Sequence, residues 1–407
     1  MHHNSKSTGE TIVDIFISLF GLSLCSKSTL IKLTTAVFSD YDPSIRPYCQ
    51  GHEQVNVTMD LAIRQLIDMN EPDQIIKLNL WIRLHWMDCL LTWNPSDYDN
   101  ITDLIVPFDK VWTPDITIYD SVSQEFYGLE KFRANISYDG AINYNFPTVT
   151  EIQCQVDVTN FPFDRQMCPL QFGSWIYTGN LLDMNLENDH ADLSALKENV
   201  EWEIPRVPAV KHIEQYSIHS DPFVDLTYNL FLKRKPRFYE ANIILPSLII
   251  TFLATLGFLL PVESGEKVSL EVTVMLSLTV FQLLVADRLP PSDEARPLLG
   301  EFFTFTFILS GITTFVQVAV INIYYRGDRN MPVWMHKLVL RPLAKITLTR
   351  AHLLKKPARD DDNKQDVDDL DNTTKWQTLS ICIDRVGLIL FIVILTIGCI
   401  VIFTNFT

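Results

Sequence analysis

The stretch Cys154–Cys168 reads CQVDVTNFPFDRQMC, two cysteines with thirteen residues between them. Val156 and Val158 alternate with polar residues, which is typical of a β-strand, and residues 161–164, FPFD, follow as a compact apolar turn. The spacing of two cysteines is a weak signal by itself. The informative feature is the whole string, together with the segments that lie on either side of it.

The composition indicates a chain with a membrane part and a water-exposed part. The 407 residues are 47% hydrophobic and 20% charged, which is too apolar for an ordinary soluble protein and too charged for a wholly embedded one. A formal net charge of −16 argues against nucleic acid as a partner, since binding phosphate backbones requires a surplus of lysine and arginine. Seven cysteines are few for a disulfide scaffold, so any bridge is expected to be a local staple.

The sequence carries no pattern typical of an enzyme. It has no phosphate-binding loop, no nucleophile paired with a base and no histidine spacing suited to a metal. We therefore expect no catalytic residue, no metal site and no cofactor.

Four segments are candidates for membrane-spanning helices. Residues 241–260, 302–325 and 386–403 contain no charged side chain, and each is close to the ~20 residues that cross a bilayer as helix. Residues 268–286 are interrupted by Glu271 and rich in serine and threonine, so on hydropathy alone they also fit a buried soluble helix. Their position between two clear spans favours the membrane.

The charge distribution predicts the orientation of the spans. The region after residue 325 is basic at first, and positive loops stay in the cytoplasm, so both termini are expected outside. Predicted glycosylation sites at Asn56, Asn100 and Asn135 agree with this orientation. The predicted parts are a signal peptide (1–25), an extracellular domain (26–237), three spans (238–325, with helices near 240–260, 266–287 and 300–325), a cytoplasmic loop (326–377) and a fourth helix (378–404). An irregular amino-terminal segment is the alternative to the signal peptide.

The region before the first span has the pattern of an all-β domain. Apolar and polar residues alternate between turns rich in Pro, Gly and Asn, apart from a helix-like segment at 30–39. In the strand LNLWIRLHW, residues 78–86, Trp81 and Arg83 lie on the polar face, opposite the aliphatic side chains and Trp86. The expected fold class is a multi-domain α+β membrane protein. It has an extracellular β-sandwich of immunoglobulin-like topology followed by a four-helix transmembrane bundle.

The same alternation sorts the other aromatic residues. Tyr119 lies on the polar face of PDITIY, and Trp175 and Tyr177 share one face of LQFGSWIY if no bulge intervenes. Three further tryptophans are expected in the core: Trp86, Trp93 and Trp112.

The string at Cys154–Cys168 resembles the signature loop of the Cys-loop receptors, a family of pentameric ligand-gated ion channels, at every position that defines it. Four further stretches are similar to the same family, and within it to nicotinic acetylcholine receptor subunits: WTPDITIYDS, QFGSWIYTG, FLLPVESGEKVSLEVTVMLSLTVFQLLVAD and MPVWMHKLVL. The resemblance implies a disulfide between Cys154 and Cys168, which by closing a loop of about 15 residues contributes about 3 kcal/mol in the chain-entropy model. It also implies a pentamer of identical or homologous subunits in the plasma membrane, surrounded by lipids and typically synaptic.

The family resemblance further implies a small-molecule agonist, a cationic amine, bound outside the membrane at subunit interfaces. Aromatic rings around such a site attract the cation by ~0.5–2 kcal/mol each. The matching positions are Tyr119, Trp175, Tyr177, Tyr216 and Phe223 on one subunit, with Trp81 and Arg83 on its neighbour.

One departure leaves the agonist open. Ile218 and His219 stand where agonist-binding nicotinic α subunits have two adjacent cysteines. The alternatives are therefore another amine such as serotonin, protons, or a structural subunit of a heteropentamer that binds no agonist.

The second span predicts the lining of a pore. Acidic, hydroxyl and apolar residues recur at intervals of three and four, which places them on one helix face: Glu266, Ser269, Thr273, Leu276, Val280, Leu283 and Asp287. Repeated around an axis, carboxylate rings favour cations and apolar rings close a pore by dewetting. By resemblance the intact Gly265-Glu266 implies cation selectivity, with monovalent cations permeant and Ca²⁺ left open. Glu271 falls off this face, and we expect it to affect gating.

The resemblance also implies a set of residues that couple ligand binding to the pore: Glu71, Phe161, Pro162, Asp164, Arg234 and Pro290. Within it, Arg234 is expected to pair with Asp164 or Glu71. Cys49 and Cys89 are expected either to form a second disulfide or to remain two buried thiols.

Overall fold

The computed structural model describes residues 27–49, 51, 53–122, 132–215, 221–291, 296–347 and 371–404. The predicted signal peptide, Tyr216 and the Ile218-His219 pair lie outside these residues. The chain forms two compact units. One holds the strands, and the other holds Asp157–Asp164 and the chain from Arg234 onward.

The first unit contains two β-sheets, preceded by a helix at 27–37. A six-stranded sheet has the order β3-β5-β6-β2-β1-β8, and a five-stranded sheet has the order β10-β11-β7-β4 with β9 paired to β11. The strands are β1 (Val55–Asn70), β2 (Ile75–Met87), β3 (Asp103–Pro107), β4 (Ile116–Ile118), β5 (Arg133–Ser137), β6 (Ala141–Gln153), β7 (Arg165–Ser174), β8 (Leu182–Leu186), β9 (Trp202–Arg206), β10 (Ala209–Glu214) and β11 (Phe223–Arg234). The predicted fold class, a β-sandwich followed by apolar helices, is confirmed.

Period-two alternation buries one face of each sheet. Every second side chain of β2 from Ile76 to Trp86 is buried, because neighbouring residues of a strand point to opposite faces. The hydroxyl of Tyr228 on β11 donates to the carbonyl of Met59 on β1 at 3.4 Å and so links the two sheets. The predicted core tryptophans Trp86, Trp93 and Trp112 are buried.

The segment before β1 is tied to the sandwich by a disulfide and by a hydrogen bond from the half-buried Tyr41 to the buried Asp88. Cys49 and Cys89 are bridged, with Cα atoms 5.9 Å apart. The hydroxyl of Tyr41 donates to Asp88 at 2.8 Å and accepts from the amide of Trp112 at 2.9 Å. Burial of Asp88 raises its carboxyl pKa above the usual range.

The second unit contains four helices that are long and apolar enough to cross a membrane. They are the first helix (Arg237–Leu259), the second helix (Lys267–Ala286), the third helix (Leu298–Tyr324) and the fourth helix (Asn372–Ile402). Shorter helical pieces lie at Val333–Met335, His336–Leu340 and Arg341–Ile346. The fourth helix begins before the predicted residue 378 because Trp376 and Leu379 are buried against Leu340.

Candidate functional site

Trp175 lies in a turn just beyond β7 and is 69% exposed. The carboxylate of Asp115 holds this turn: it accepts from the hydroxyl of Ser174 at 2.5 Å and from the amide of Ile176 at 2.9 Å. The hydroxyl of Ser174 in turn accepts from the amide of Tyr177 at 2.8 Å. The turn therefore has a defined shape that presents the indole to solvent.

Tyr119 lies beside Trp175, with ring centroids 6.4 Å apart at 69°. Its hydroxyl donates to the carbonyl of Ser174 at 3.2 Å. A Cβ atom at Gly173 would overlap that hydroxyl, so only glycine lets the phenol lie across β7. These two predicted ligand-binding residues are thus neighbours in the structure.

Tyr177 has a different environment from Trp175, although the sequence predicts one shared face. The reason is that β7 ends at Ser174, so the alternation does not continue into residues 175–177. The ring of Tyr177 packs edge-on against the buried Trp112 at 6.0 Å. Phe223, at the start of β11, is also buried.

Trp81 lies on β2 and is 37% exposed. The guanidinium carbon of Arg64 lies 5.1 Å from the centroid of its ring. This cation–π pair was not predicted, because strict alternation along β1 does not indicate where the side chain of Arg64 points. Trp81 belongs to the six-stranded sheet, whereas Tyr119 and Trp175 follow strands of the five-stranded one.

Arg83, the other residue predicted on the Trp81 side, is held by two carboxylates. It lies 2.5 Å from Asp60 and 3.1 Å from Asp192. The hydrogen bond to Asp60 raises the pKa of the Arg83 guanidinium. The hydroxyl and amide of Ser194, and then Arg83, lower the pKa of Asp192. Arg83 thus ties the segment after β8 to strands β1 and β2.

The second helix has one exposed and one buried face. All seven predicted pore-lining residues are exposed: Glu266, Ser269, Thr273, Leu276, Val280, Leu283 and Asp287. The buried residues on its other side are Lys267, Glu271, Val274, Leu278 and Val285. The unit thus leaves uncovered the face that the sequence predicts to line a pore.

A buried polar contact joins all four helices at Lys267. Its ammonium group donates to Asp384 at 2.8 Å, to the side-chain oxygen of Gln317 at 3.2 Å and to the carbonyl of Gly257 at 3.2 Å. These three acceptors match the three protons of the ammonium group. The contact was not predicted, and it involves residues from every helix of the bundle.

Glu271 is buried one turn further along the second helix. One carboxylate oxygen accepts from the hydroxyl of Thr313 on the third helix at 3.1 Å. Its other oxygen, Oε1, is buried without a hydrogen-bond partner in the described part of the chain, and it lies 2.4 Å from the position that a Cβ atom would take at Gly257. The hydrogen-bond donor to Glu271 thus comes from the third helix of the same chain.

Asp164 and Arg234 form a buried ion pair next to the membrane helices. The ring of Phe161 lies 4.9 Å from that of Tyr239, and the guanidinium carbon of Arg234 lies 5.0 Å from the ring of Phe161. Thr159 accepts from the amide of Leu298 at the start of the third helix at 3.0 Å. Asp157–Asp164, which lies within the loop closed by the Cys154–Cys168 disulfide, therefore packs with the helices. Asp164 is one of the two partners expected for Arg234.

The remaining predicted residues have varied surroundings. Glu71 and Pro290 are buried, whereas Asn56 and Asn100 are exposed. Asn135 is half-buried, and its side-chain nitrogen, the atom that a glycan would use, donates to Asp103 at 3.5 Å.

Comparison with known proteins identifies both units. Residues 31–236 match the model of the neurotransmitter-gated ion-channel ligand binding domain, and residues 243–374 match that of the neurotransmitter-gated ion-channel transmembrane region. The chain is 42% identical over 316 residues to neuronal acetylcholine receptor subunit alpha-9 of Gallus gallus, covering 77% of this chain and 65% of the relative. It is 41% identical over 317 residues to the human alpha-9 subunit, covering 77% of this chain and 66% of that one. It is 38% identical over 317 residues to the human alpha-10 subunit, with 77% and 70% covered.

The chain spans just under two thirds of the length of these alpha-9 subunits. With four apolar helices and such relatives, it is a multi-pass plasma-membrane protein. The matched family consists of ligand-gated channels, not enzymes. The sequence, the two-sheet domain and the helical region lead to one conclusion: the chain belongs to the neurotransmitter-gated ion-channel family.

Proposed function

We propose that this chain is a subunit of a pentameric neurotransmitter-gated cation channel, opened by a small cationic amine. The β-sandwich binds the amine outside the membrane at the interface between two subunits. The second helix of each subunit lines a central pore for monovalent cations, with Ca²⁺ as a further candidate. The partners are identical or homologous subunits and the surrounding lipids, and a synaptic membrane is the expected location.

The exposed face of the second helix carries this proposal. Glu266 and Asp287 lie at its two ends, with hydroxyl and apolar residues between them, and none of these side chains is covered within the subunit. An uncovered acidic and hydroxyl face on a membrane helix is costly in lipid. That cost is avoided when five copies surround water, where the same carboxylates attract cations and repel anions.

The aromatic residues support an amine as agonist. Trp175 is exposed beside Tyr119, and a protonated or quaternary amine gains about 0.5–2 kcal/mol from each ring face it meets. Trp81 lies in the other sheet, so it would meet the same ligand only if a second subunit supplied it. We propose that Arg83 stabilises the surface around Trp81 and does not bind the ligand directly, because it already forms ion pairs with Asp60 and Asp192.

The buried pair of Arg234 and Asp164 supports a route from ligand to pore. Arg234 ends β11, the strand that begins near the amine site, and directly precedes the first helix. Phe161 and Pro162 flank this pair, and Glu71 and Pro290 are proposed to act with them. A shift of a few kcal/mol in such contacts is enough to change the balance of closed and open states.

A voltage-clamp experiment tests the proposed function. The chain is expressed alone, and with an alpha-9-type or alpha-10-type subunit, and currents are recorded for amines, amino acids and acid pulses. We expect an amine-evoked current whose reversal potential follows external Na⁺ and not Cl⁻. A current that follows Cl⁻ would contradict the cation pore, and surface protein without current in every combination would contradict a channel.

A second candidate is a subunit that completes the pentamer without binding agonist through its Trp81 side. The observation that favours it is the guanidinium of Arg64 on the ring of Trp81. In that case Trp81→Ala leaves the agonist response of a mixed pentamer unchanged, whereas Glu266→Gln still alters its conductance.

A further inference from the structure

Arg64 occupies a bulge in β1. Ile63 pairs with Leu80 of β2 and Gln65 pairs with Asn79, so Arg64 is an extra residue with no partner across the pair. A bulge of this kind changes the direction in which its side chain points. Here it brings the side chain of Arg64 to Trp81, which pairs with Ala62.

Two contacts hold the Arg64 guanidinium in place. Its carbon lies 5.1 Å from the ring centroid of Trp81, within the range of a cation–π interaction. Its Nη1 donates to the carbonyl of Ala195 at 2.5 Å, and the Arg64 carbonyl accepts from the amide of Lys197 at 2.9 Å. The segment after β8 thus fixes both the main chain and the head group of Arg64.

Arg64 differs from Arg83 in its contacts with carboxylates. Arg83, two residues from Trp81, is neutralised by Asp60 and Asp192. Arg64, by contrast, makes no ion pair with any carboxylate in the described part of the chain, and its hydrogen-bond acceptor is a neutral carbonyl. The surface around Trp81 therefore carries a guanidinium whose donors are not all used.

We propose that Arg64 is a specificity-determining residue that reserves the Trp81 side for the electron-rich end of an amine ligand. The inference rests on the proposed function, since it assumes that Trp81 faces the ligand. The ring's attraction for a cation is already used by Arg64, and the guanidinium repels a second cation at that face. It offers hydrogen bonds to a carboxylate or ester oxygen instead. The favoured ligand class is an ammonium group that carries an acceptor tail.

Two probes that share a trimethylammonium group test this inference. Tetramethylammonium has no acceptor, whereas betaine adds a carboxylate to the same head group. We measure the half-maximal concentration of each in channels that contain the full chain, comparing wild type with Arg64→Leu and with Arg64→Lys, which keeps the charge. Arg206→Leu is the matched control, because Arg206 also stacks on an aromatic ring, that of Phe231 at 4.4 Å, but in the other sheet.

Removing the Arg64 charge should strengthen binding of the bare cation and weaken that of the acceptor. We expect Arg64→Leu to lower the half-maximal concentration of tetramethylammonium by about 2- to 30-fold and to raise that of betaine, from the usual range of a cation–π contact. Arg64→Lys should keep the wild-type order of the two probes, and Arg206→Leu should change neither. An unchanged or weaker response to tetramethylammonium in Arg64→Leu would overturn the inference.

A labelling experiment separates this inference from the proposed function, because it needs no current. Trp81→Cys is introduced into the full chain at the cell surface, with or without Arg64→Leu. It is then modified by methanethiosulfonates that carry either a trimethylammonium or a sulfonate group. The quantity measured is the ratio of the sulfonate reaction rate to the trimethylammonium reaction rate. We expect this ratio to be higher with Arg64 present than in the Arg64→Leu background. Equal rate ratios in the two backgrounds would overturn the inference, whether or not the chain conducts.

Discussion

The guanidinium of Arg234 and the carboxylate of Asp164 are paired and buried together, with Nε 2.8 Å from Oδ1 and Nη2 3.3 Å from Oδ2. Their side chains are 0% and 1% exposed. Burying two charges is costly, and their attraction offsets that cost only while both partners are present. Loss of either side chain would therefore leave the other charge buried without this contact.

Removing one member of this pair should be strongly destabilising. We expect Arg234→Ala to cost about 3–5 kcal/mol, because the Asp164 carboxylate stays buried after it loses the guanidinium. Surface biotinylation and agonist-evoked current should both fall. The double variant Arg234→Ala/Asp164→Ala should lose less than the sum of the single variants. Normal surface protein and normal currents in Arg234→Ala would refute the coupling role.

The contact between Gly257 and Glu271 predicts that the effect of Gly257→Ala on stability depends on the side chain at position 271. An alanine in place of glycine in a helix normally stabilises by about 0.4–1 kcal/mol. Gly257→Ala should instead destabilise, since its Cβ would overlap Oε1 of Glu271. In a Glu271→Ala background the same substitution should be tolerated.

Thermal unfolding of the detergent-solubilised protein, followed by size-exclusion chromatography, measures this effect. Gly311→Ala is the control, because a Cβ there meets no described atom within 4 Å. If Gly257→Ala lowered thermal stability equally in the wild-type and Glu271→Ala backgrounds, the Glu271 carboxylate would not be the group that excludes the methyl group.

The exposed acid at the start of the second helix predicts an effect on permeation. Glu266→Gln removes a ring of carboxylates from the pore entrance, so conductance for Na⁺ should fall several-fold and the preference for cations over anions should weaken. Single-channel recording and reversal potentials measure both quantities. Glu301→Gln, an exposed acid on the third helix, should leave them near wild type. Unaltered conductance in Glu266→Gln would place the pore on another face.

The pair of Tyr41 and Asp88 predicts a pH-dependent loss of stability. Tyr41→Phe removes the donor to Asp88 and the acceptor of the Trp112 amide, which should cost about 1–3 kcal/mol. Burial already raises the pKa of Asp88, and the Tyr41 hydroxyl opposes that rise, so the variant raises it further. A carboxyl with a raised folded-state pKa favours folding at low pH and loses that contribution as pH rises through the folded pKa.

The difference in stability between wild type and Tyr41→Phe should therefore be larger at neutral pH than at mildly acidic pH. Thermal unfolding at the two pH values measures it. Tyr48→Phe is the control, because Tyr48 is exposed and its hydroxyl lies 3.3 Å from Glu53 at the surface. A difference that grows on acidification would contradict the assignment of Asp88 as the affected group.

Local periodicity predicted which faces of single elements would be buried. The alternation in β2 separates Trp81 from the buried Trp86, and the three-and-four spacing in the second helix separates Leu276 from the buried Leu278. Such predictions succeed because the direction of a side chain within a regular strand or helix depends only on its position. The Cys154–Cys168 string and the four further stretches that resemble the same family indicated the family, which the comparisons confirm.

Tertiary structure decided which residues pack against each face of a strand or helix, and where a bulge or the end of a strand interrupts the alternation. The bulge at Arg64 brings a cation to Trp81, and the end of β7 at Ser174 sends Tyr177 to Trp112 and leaves Trp175 in solvent. Lys267 meets Asp384 across 117 residues of sequence, a pairing that neither local pattern contains. The sequence by itself thus determined the elements, their buried faces and the family. The partners of Arg64, Lys267 and Glu271 required the folded chain, because contacts between distant segments depend on how those segments pack and not on the spacing within either one.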